Sequence, residues 1–309
     1  MADQNDVIVL GIFVADLAFY ASRMPVIGET ISGSDFAIGP GGKGGNQAVA
    51  AARAGAKSAF ITRLGNDSFG EMALKTWAKE GVVAYSSQSR TDPTGAAFIF
   101  VNEVTGDNSV IVVPGAALGI SAQMVEEYAD EISNAKVFVT QLEQPVGAAI
   151  RGLEIAHNAD VITVFNPAPA ETIPDSIYRL CDYITPNETE AETLTGITVR
   201  TADDARKAGD VLLGKGVRTA LITLGDKGAL FHNHTVSEII PAAEIDQAID
   251  TTGAGDAFNG CFAAALARGD DPIQAALFAN TGAGISVTRV GTAPSMATLN
   301  EISAKLQGH

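Results

Sequence analysis

The chain has 309 residues, 46% of them hydrophobic and 18% charged, a balance that excludes a disordered polymer and allows a large buried core. Twenty Lys and Arg against 36 Asp and Glu leave a formal charge of -16, which excludes nucleic acid and anionic membrane as partners recognised through a basic surface. A polyphosphate ligand would have to be held by backbone amides and metal ions instead.

Apolar, β-branched runs at 7–13, 58–64, 136–142, 160–166, 183–185 and 219–225 predict strands. Helix-length amphipathic segments at 45–55, 70–80, 146–158, 203–216 and 254–269 follow most of them. Continuous apolar strands alternating with helices predict an α/β fold, a mostly parallel sheet with helices on both faces. Residues 12–40 and 92–114 break this rhythm with short extended pieces, VTGDNS closing a hairpin, and predict a small antiparallel β lid. No repeat or linker divides the chain, so residues 1–309 are expected to form a single domain carrying that lid. Cys181 and Cys261 have no pairing pattern, which suits a reducing compartment. The start MADQNDVIVLG lacks a signal-peptide pattern, and no apolar stretch reaches the ~18 residues of a membrane span, so a cytoplasmic protein is expected.

Four stretches can carry chemistry. AIGPGGKGGNQAVAAA (37–52) matches G-x-G-x-x-G at Gly39–Gly44, but it follows the irregular 12–40 region rather than the first strand of a βαβ unit. It reads either as a strand-to-helix corner that lets Lys43 and Asn46 reach a polar ligand, or as a bare glycine corner. In DYITPNETEAETLTG (182–196), Asn187 and Glu190 have capping-box spacing; they are either a helix start or water-mediated Mg²⁺ ligands facing a site. TLGDKGALF (223–231) turns through glycines and, at the carboxyl end of a parallel sheet, would line a nucleotide crevice. DTTGAGDAFNG (250–260) opens a helix with Gly253, Ala254 and Gly255 ahead of Asp256. Free amides at a helix start hold an anion, and an ionised carboxylate beside them suits a general base; a tight loop with a dipole-complementing acid is the plainer alternative. The histidines, His157, His232, His234 and the terminal His309, form no ligand set.

Taken together and in order, VIVLGIFVADL, GPGGKGGNQAVAAARAG, QLEQP, FNPAPA, TPNETEAETLTG, ITLGDKG, DTTGAGDAFNG and TRVGTAPS resemble the ribokinase-like (PfkB) family of carbohydrate kinases over nearly the whole chain. The resemblance implies an ATP-dependent kinase acting on the primary hydroxyl of a small sugar, with D-ribose the leading substrate. By that resemblance, Asp256 is the base, and the amides of Gly253, Ala254 and Gly255 form the anion hole. Asp16, Gly42, Lys43, Asn46 and Glu143 hold the sugar. Asn187 and Glu190 place Mg²⁺ and the phosphates; Thr223, Gly225, Asp226 and Gly228 line the nucleotide pocket, with Asn280 near the adenine. A K⁺-type ion is implied beside Asp250, Thr252, Ser286, Arg289, Gly291 and Ser295. Two positions depart from the family pattern: Val14 and Ala117 stand where asparagines are usual. A sugar lacking one hydroxyl, or another pentose or ketose, would suit an apolar Val14, and a nucleoside is a further alternative. From other classes, a dinucleotide-dependent oxidoreductase could use Gly39–Gly44, and a non-catalytic sugar sensor is conceivable. Exposed strand edges on the lid predict a homodimer formed through it.

Overall fold

The run Val7–Leu10 forms β1 in the middle of the main sheet, and all four side chains are buried, as a strand covered on both faces requires. The computed structural model describes residues 4–308, so His309 lies outside the described residues. The remaining strands are β2 (Val14–Ala21), β3 (Asp35–Gly41), β4 (Ser58–Gly65), β5 (Val83–Ser89), β6 (Thr94–Asn102), β7 (Asn108–Gly115) and β8 (Val137–Thr140). They continue as β9 (Ile162–Phe165), β10 (Tyr183–Ile184), β11 (Thr219–Thr223), β12 (Ala229–His232) and β13 (Ser237–Ile240). The main sheet runs β13-β12-β11-β10-β9-β8-β1-β4-β5. It is parallel from β5 to β11, and β12 and β13 add an antiparallel edge.

The helices are α1 (Lys43–Arg53), α2 (Ser68–Glu80), α3 (Ala122–Glu126), α4 (Ala129–Ser133), α5 (Val146–Asn158), α6 (Glu188–Thr195), α7 (Ala202–Lys215), α8 (Ala254–Arg268), α9 (Pro272–Ser286) and α10 (Leu299–Gln307). Side-chain alternation along β1 divides the core in two. Val7 and Val9 point into a core shared with α1, α2, α8, α9 and α10, whereas Ile8 and Leu10 point into one shared with α3, α4, α5 and α7. Helices therefore cover both faces, as the sequence pattern predicts. Helix α9 is apolar almost all round (PIQAALFANTGAGIS), so it has no polar stripe to announce it in the sequence.

The regions 12–40 and 92–114 form the second sheet, ordered β3-β2-β6-β7. Its β2–β3 and β6–β7 pairs are antiparallel, and they meet along a parallel β2–β6 seam. Helix α1 starts directly from β3, so the small sheet and the main body share one glycine corner. There Gly42 has φ 84°, and a Cβ on it would fall 2.7 Å from the carbonyl oxygen of Ile12. Gly260 serves a second close approach: a Cβ there would lie 2.4 Å from Ala50 Cβ and 2.5 Å from Gln47 O, where α8 crosses α1. Among the described residues, no helix is long and apolar enough to cross a membrane.

Candidate active site

Helix α8 begins at Gly253 with φ 80°, a left-handed conformation that glycine adopts without strain. Ala254 N–H donates to the Thr251 carbonyl at 3.2 Å, while the amides of Gly255 and Asp256 have no protein acceptor among the described residues. These free donors and the positive end of the helix dipole face a cleft lined by Lys43, Asn166, Ala168, Thr185, Asn187, Glu190, Thr223, Thr251, Asn259 and the Gly253–Asp256 turn. Lys43 is the basic side chain among them. Burial works against its charge, but the carboxylates of Asp256, Glu143 and Glu190 raise its pKa. The acidity of the whole chain is thus offset at one point by an ammonium and a helix start.

Asp256 is buried, with each carboxylate oxygen held by an amide from α1. Asn46 Nδ2 donates to Oδ2 at 3.0 Å and Gln47 Nε2 donates to Oδ1 at 3.0 Å. Burial pushes the Asp256 pKa up, while the Lys43 charge and the two amides pull it back. A carboxyl with raised proton affinity, beside an ammonium and two amide donors that favour its ionised form, is what a general base requires.

Three more groups gather beside it. Glu143, after β8, accepts the backbone N–H of Lys43 at 2.8 Å, and burial pushes its pKa up to about 7. Asp16, on β2, is raised to about 7 by burial and then by the charge of Asp256. Its carboxyl abuts Gly41, where a Cβ would fall 2.2 Å from Oδ1. Asn46 keeps its Oδ1 buried without a partner, an acceptor free for a ligand hydroxyl. The structure therefore brings Asp16, Gly42, Lys43, Asn46, Glu143 and Asp256 together from the lid, α1, the end of β8 and α8.

On the other side of the cleft, Asn187 and Glu190 form a complete capping box at the start of α6. Glu190 N–H donates to Asn187 Oδ1 at 2.8 Å, and Asn187 N–H donates to Glu190 Oε2 at 2.9 Å. The helix-start reading is correct, and both residues also line the cleft. Glu190 keeps its second carboxylate oxygen, and burial raises its pKa. Thr223 ends β11 at the cleft, and the turn of Gly225 (φ 57°), Asp226 and Gly228 (φ 93°) follows it. Asn280 lies apart from the residues lining this cleft: its amide donates to the carbonyls of Ile240 and Pro241 at 3.0 and 2.9 Å and ties α9 to the chain after β13.

Behind the helix start, Asp250 accepts from Thr252 N–H and Gly291 N–H, both at 2.9 Å. Ser286 O accepts the Arg289 N–H at 3.1 Å, and Ser295 O accepts from the Arg289 guanidinium at 3.5 Å. The Asp250 carboxylate thus joins the segments at Thr252 and Gly291, while Arg289 joins those at Ser286 and Ser295. Sequence reasoning missed Gly41, Gln47, Gln141, Asn166, Thr185 and Asn259, which position the charged groups. The strings NQA, QLEQP and FNPAPA contain three of them, yet nothing in a string says which buried amide meets which carboxylate.

A family model described as the pfkB family of carbohydrate kinases matches residues 4–299. The chain belongs to the pfkB carbohydrate kinase family. It is 40% identical over 294 residues to a ribokinase of Haemophilus influenzae, covering 95% of each chain. It is 35% identical over 303 residues to a deoxyribokinase of Salmonella typhi, covering 97% of this chain and 98% of the other. A solved ribokinase of Arabidopsis thaliana, complexed with ribose and ATP, superposes with a TM-score of 0.93 at 29% identity over 99% of both chains. Family membership identifies the chain as a sugar kinase. It also removes the oxidoreductase reading, because Gly39 sits in a lid strand and Gly44 in α1, not in the first turn of a βαβ unit.

Proposed function

We propose that this enzyme transfers the γ-phosphoryl group of ATP to the primary hydroxyl of D-ribose, forming D-ribose 5-phosphate. One observation carries the reading: a buried, amide-held carboxylate, Asp256, stands in the first turn of α8 beside free backbone donors, with sugar-type acceptors on one side and a nucleotide-type turn on the other. Asp16, Asn46 and Glu143 accept from the sugar hydroxyls and fix the ring. Asp256 then takes the proton of the attacking hydroxyl, whose oxygen bonds to the γ-phosphorus as the bond to the β-phosphate oxygen breaks. The free amides of Gly255 and Asp256 and the Lys43 ammonium face the charge that spreads over the transferring oxygens, the main demand of phosphoryl transfer, while Ala254 N–H is engaged by the Thr251 carbonyl. Thr223, Gly225, Asp226 and Gly228 form the nucleotide side.

The free oxygen of Glu190, beside the Asn187 cap, suits Mg²⁺, which keeps most of its waters and needs few protein carboxylates. Mg²⁺ would neutralise and orient the phosphates there. The oxygen set of the Asp250 carboxylate and the backbone carbonyls around Thr252, Ser286, Arg289, Gly291 and Ser295 is hard and suits K⁺, which would add positive field behind the helix start. Lid residues Phe19, Phe36, Ile38, Ile111 and Val113 share one side of the lid sheet and are 42–62% exposed, an apolar face that supports a homodimer through the lid. Light scattering showing a monomer at micromolar concentration would refute that arrangement.

A second acceptor, 2-deoxyribose, is favoured by Val14. This residue is 3% exposed and packs in one apolar core with Ala97 and Ala117, so it offers a sugar no hydrogen bond. The test is ADP release with Mg-ATP against pentoses, deoxypentoses, ketoses, hexoses and nucleosides, with and without K⁺. The Asp256→Asn variant runs in parallel and is expected to lose about 10²- to 10⁴-fold in kcat while still binding ATP. Full turnover by that variant would remove Asp256 as the base.

A further inference from the structure

The amide of Gln47 has one orientation open to it, and that orientation serves Asp256. Gln47 is fully buried on α1. Its Nε2 donates to Asp256 Oδ1 at 3.0 Å and to Asn166 Oδ1 at 3.2 Å, and its Oε1 accepts from Gln141 Nε2. Asn166 cannot turn round to offer a proton, because its own Nδ2 donates to the Thr185 carbonyl at 3.0 Å. A flipped Gln47 would set its Oε1 against two further oxygen acceptors, Asp256 Oδ1 and Asn166 Oδ1, with no proton between them. The carboxylate and Asn166 therefore select the amide orientation from one side, and the Gln141 donor holds it from the other.

The support extends outward from there. Gln141 is fully buried after β8, and Gly11 leaves space for it: a Cβ there would lie 2.4 Å from Gln141 Oε1. Thr185 donates through Oγ1 to Asn259 Oδ1 at 2.6 Å, and Asn259 Nδ2 donates to Gly255 O at 2.8 Å, inside the helix start that carries Asp256. Amides from α1, from just after β8 and β9, and from α8 thus form one network, of which Asn46 and Gln47 reach the carboxylate. A connected net of buried amides fixes geometry that an apolar packing would leave loose.

We propose that Gln47 is a positioning residue for the base: held by Gln141, it fixes the plane of the Asp256 carboxylate so that the proton of the sugar hydroxyl meets an oriented acceptor. The proposal rests on Asp256 being the base. Gln47 meets the sugar only through Asp256, so its loss should affect the chemical step and leave nucleotide binding alone.

The test compares Gln47→Met and Gln141→Met with the wild type and Asp256→Asn, in the full chain, using Mg-ATP and the best sugar of the substrate panel. Gln47→Met should lower kcat about tenfold to a hundredfold, and Gln141→Met about threefold to tenfold, with KM for ATP within about twofold of wild type. A folded Gln47→Met enzyme with kcat within about twofold of wild type would overturn the proposal, as would parallel changes in kcat and both KM values. If Gln47→Met does not fold, Gln141→Met decides, since it leaves every direct partner of Asp256 in place; an unchanged kcat then overturns the proposal. Absence of wild-type turnover with every sugar would instead overturn the reading of the site itself, and this proposal with it.

Discussion

Replacing Asp16 with Asn should stabilise the protein at alkaline pH while weakening the sugar site. The Asp16 carboxyl is half-buried and meets no protein donor among the described residues, and burial and then the Asp256 charge push its pKa from the ordinary 3.8 up to about 7. Between those values the folded state keeps a proton that the unfolded state has released. Stability therefore falls as pH rises through this window, and the penalty is complete above pH 7. The two units from pH 5 to pH 7 amount to about 2.7 kcal/mol at 1.36 kcal/mol per unit, and water around the half-buried carboxylate reduces this to roughly half. Asparagine resembles the neutral acid and carries no such penalty. Its advantage in Tm over wild type should grow by about 2 °C between pH 5 and pH 8. Neutralising Asp16 also lowers the charge acting on Glu143, and that effect has the same sign. The assay is thermal unfolding of both proteins across this pH range without sugar, with kcat/KM for the sugar measured alongside. A difference in Tm that stays flat with pH, or an Asn variant less stable at pH 8, would refute the reasoning. For the wild type, kcat/KM for the sugar should fall as pH drops below about 7, because Asp16 and Glu143 then lose the charge that accepts hydroxyl protons.

Other substitutions probe the remaining parts of the argument. Val14→Asn should move kcat/KM toward ribose over 2-deoxyribose by about tenfold, the value of one buried hydroxyl finding a partner, and an unchanged ratio would remove Val14 from the sugar site. Gly260→Ala forces α8 away from α1 at Ala50 and Gln47 O; it should cost about 1–3 kcal/mol and lower kcat more than the same loss placed elsewhere, read by calorimetry and initial rates. Arg53 makes a paired contact with Glu80 at 2.7 and 2.9 Å and donates to the carbonyls of Pro294 and Met296 at 2.9 and 2.8 Å. Arg53→Met should cost about 3 kcal/mol at pH 7. The gap should narrow at acid pH, where Glu80, whose pKa Arg53 holds below the usual carboxylate range, becomes protonated.

Much of the architecture is legible in the sequence for a local reason. Strands such as Val7–Leu10 and Ile162–Phe165 are apolar without interruption, and helices such as α5 and α7 show one polar face, so period alone separates them. The glycine corner at Gly42 and the helix start at Gly253 are legible too, because positive φ and close approach leave glycine as the fitting residue. What period does not reveal is α9, which is buried all round and has no polar side to mark its turns. Nor does it reveal that β2 and β6, 80 residues apart, lie parallel in the lid.

The site divides along the same line. Sequence determines that an acid stands in the first turn of α8 and that Asn187 caps α6, since both depend on neighbours within a few residues. Only tertiary structure decides that Gln47 and Asn46 grip that acid from more than 200 residues away, and that Glu143 takes the backbone of Lys43. Only tertiary structure, likewise, commits Asn280 to the carbonyls of Ile240 and Pro241. Proton affinities follow burial and the charges that long-range contacts bring together. A carboxylate's place in the chain names its chemistry, and its packing sets how strongly it holds a proton.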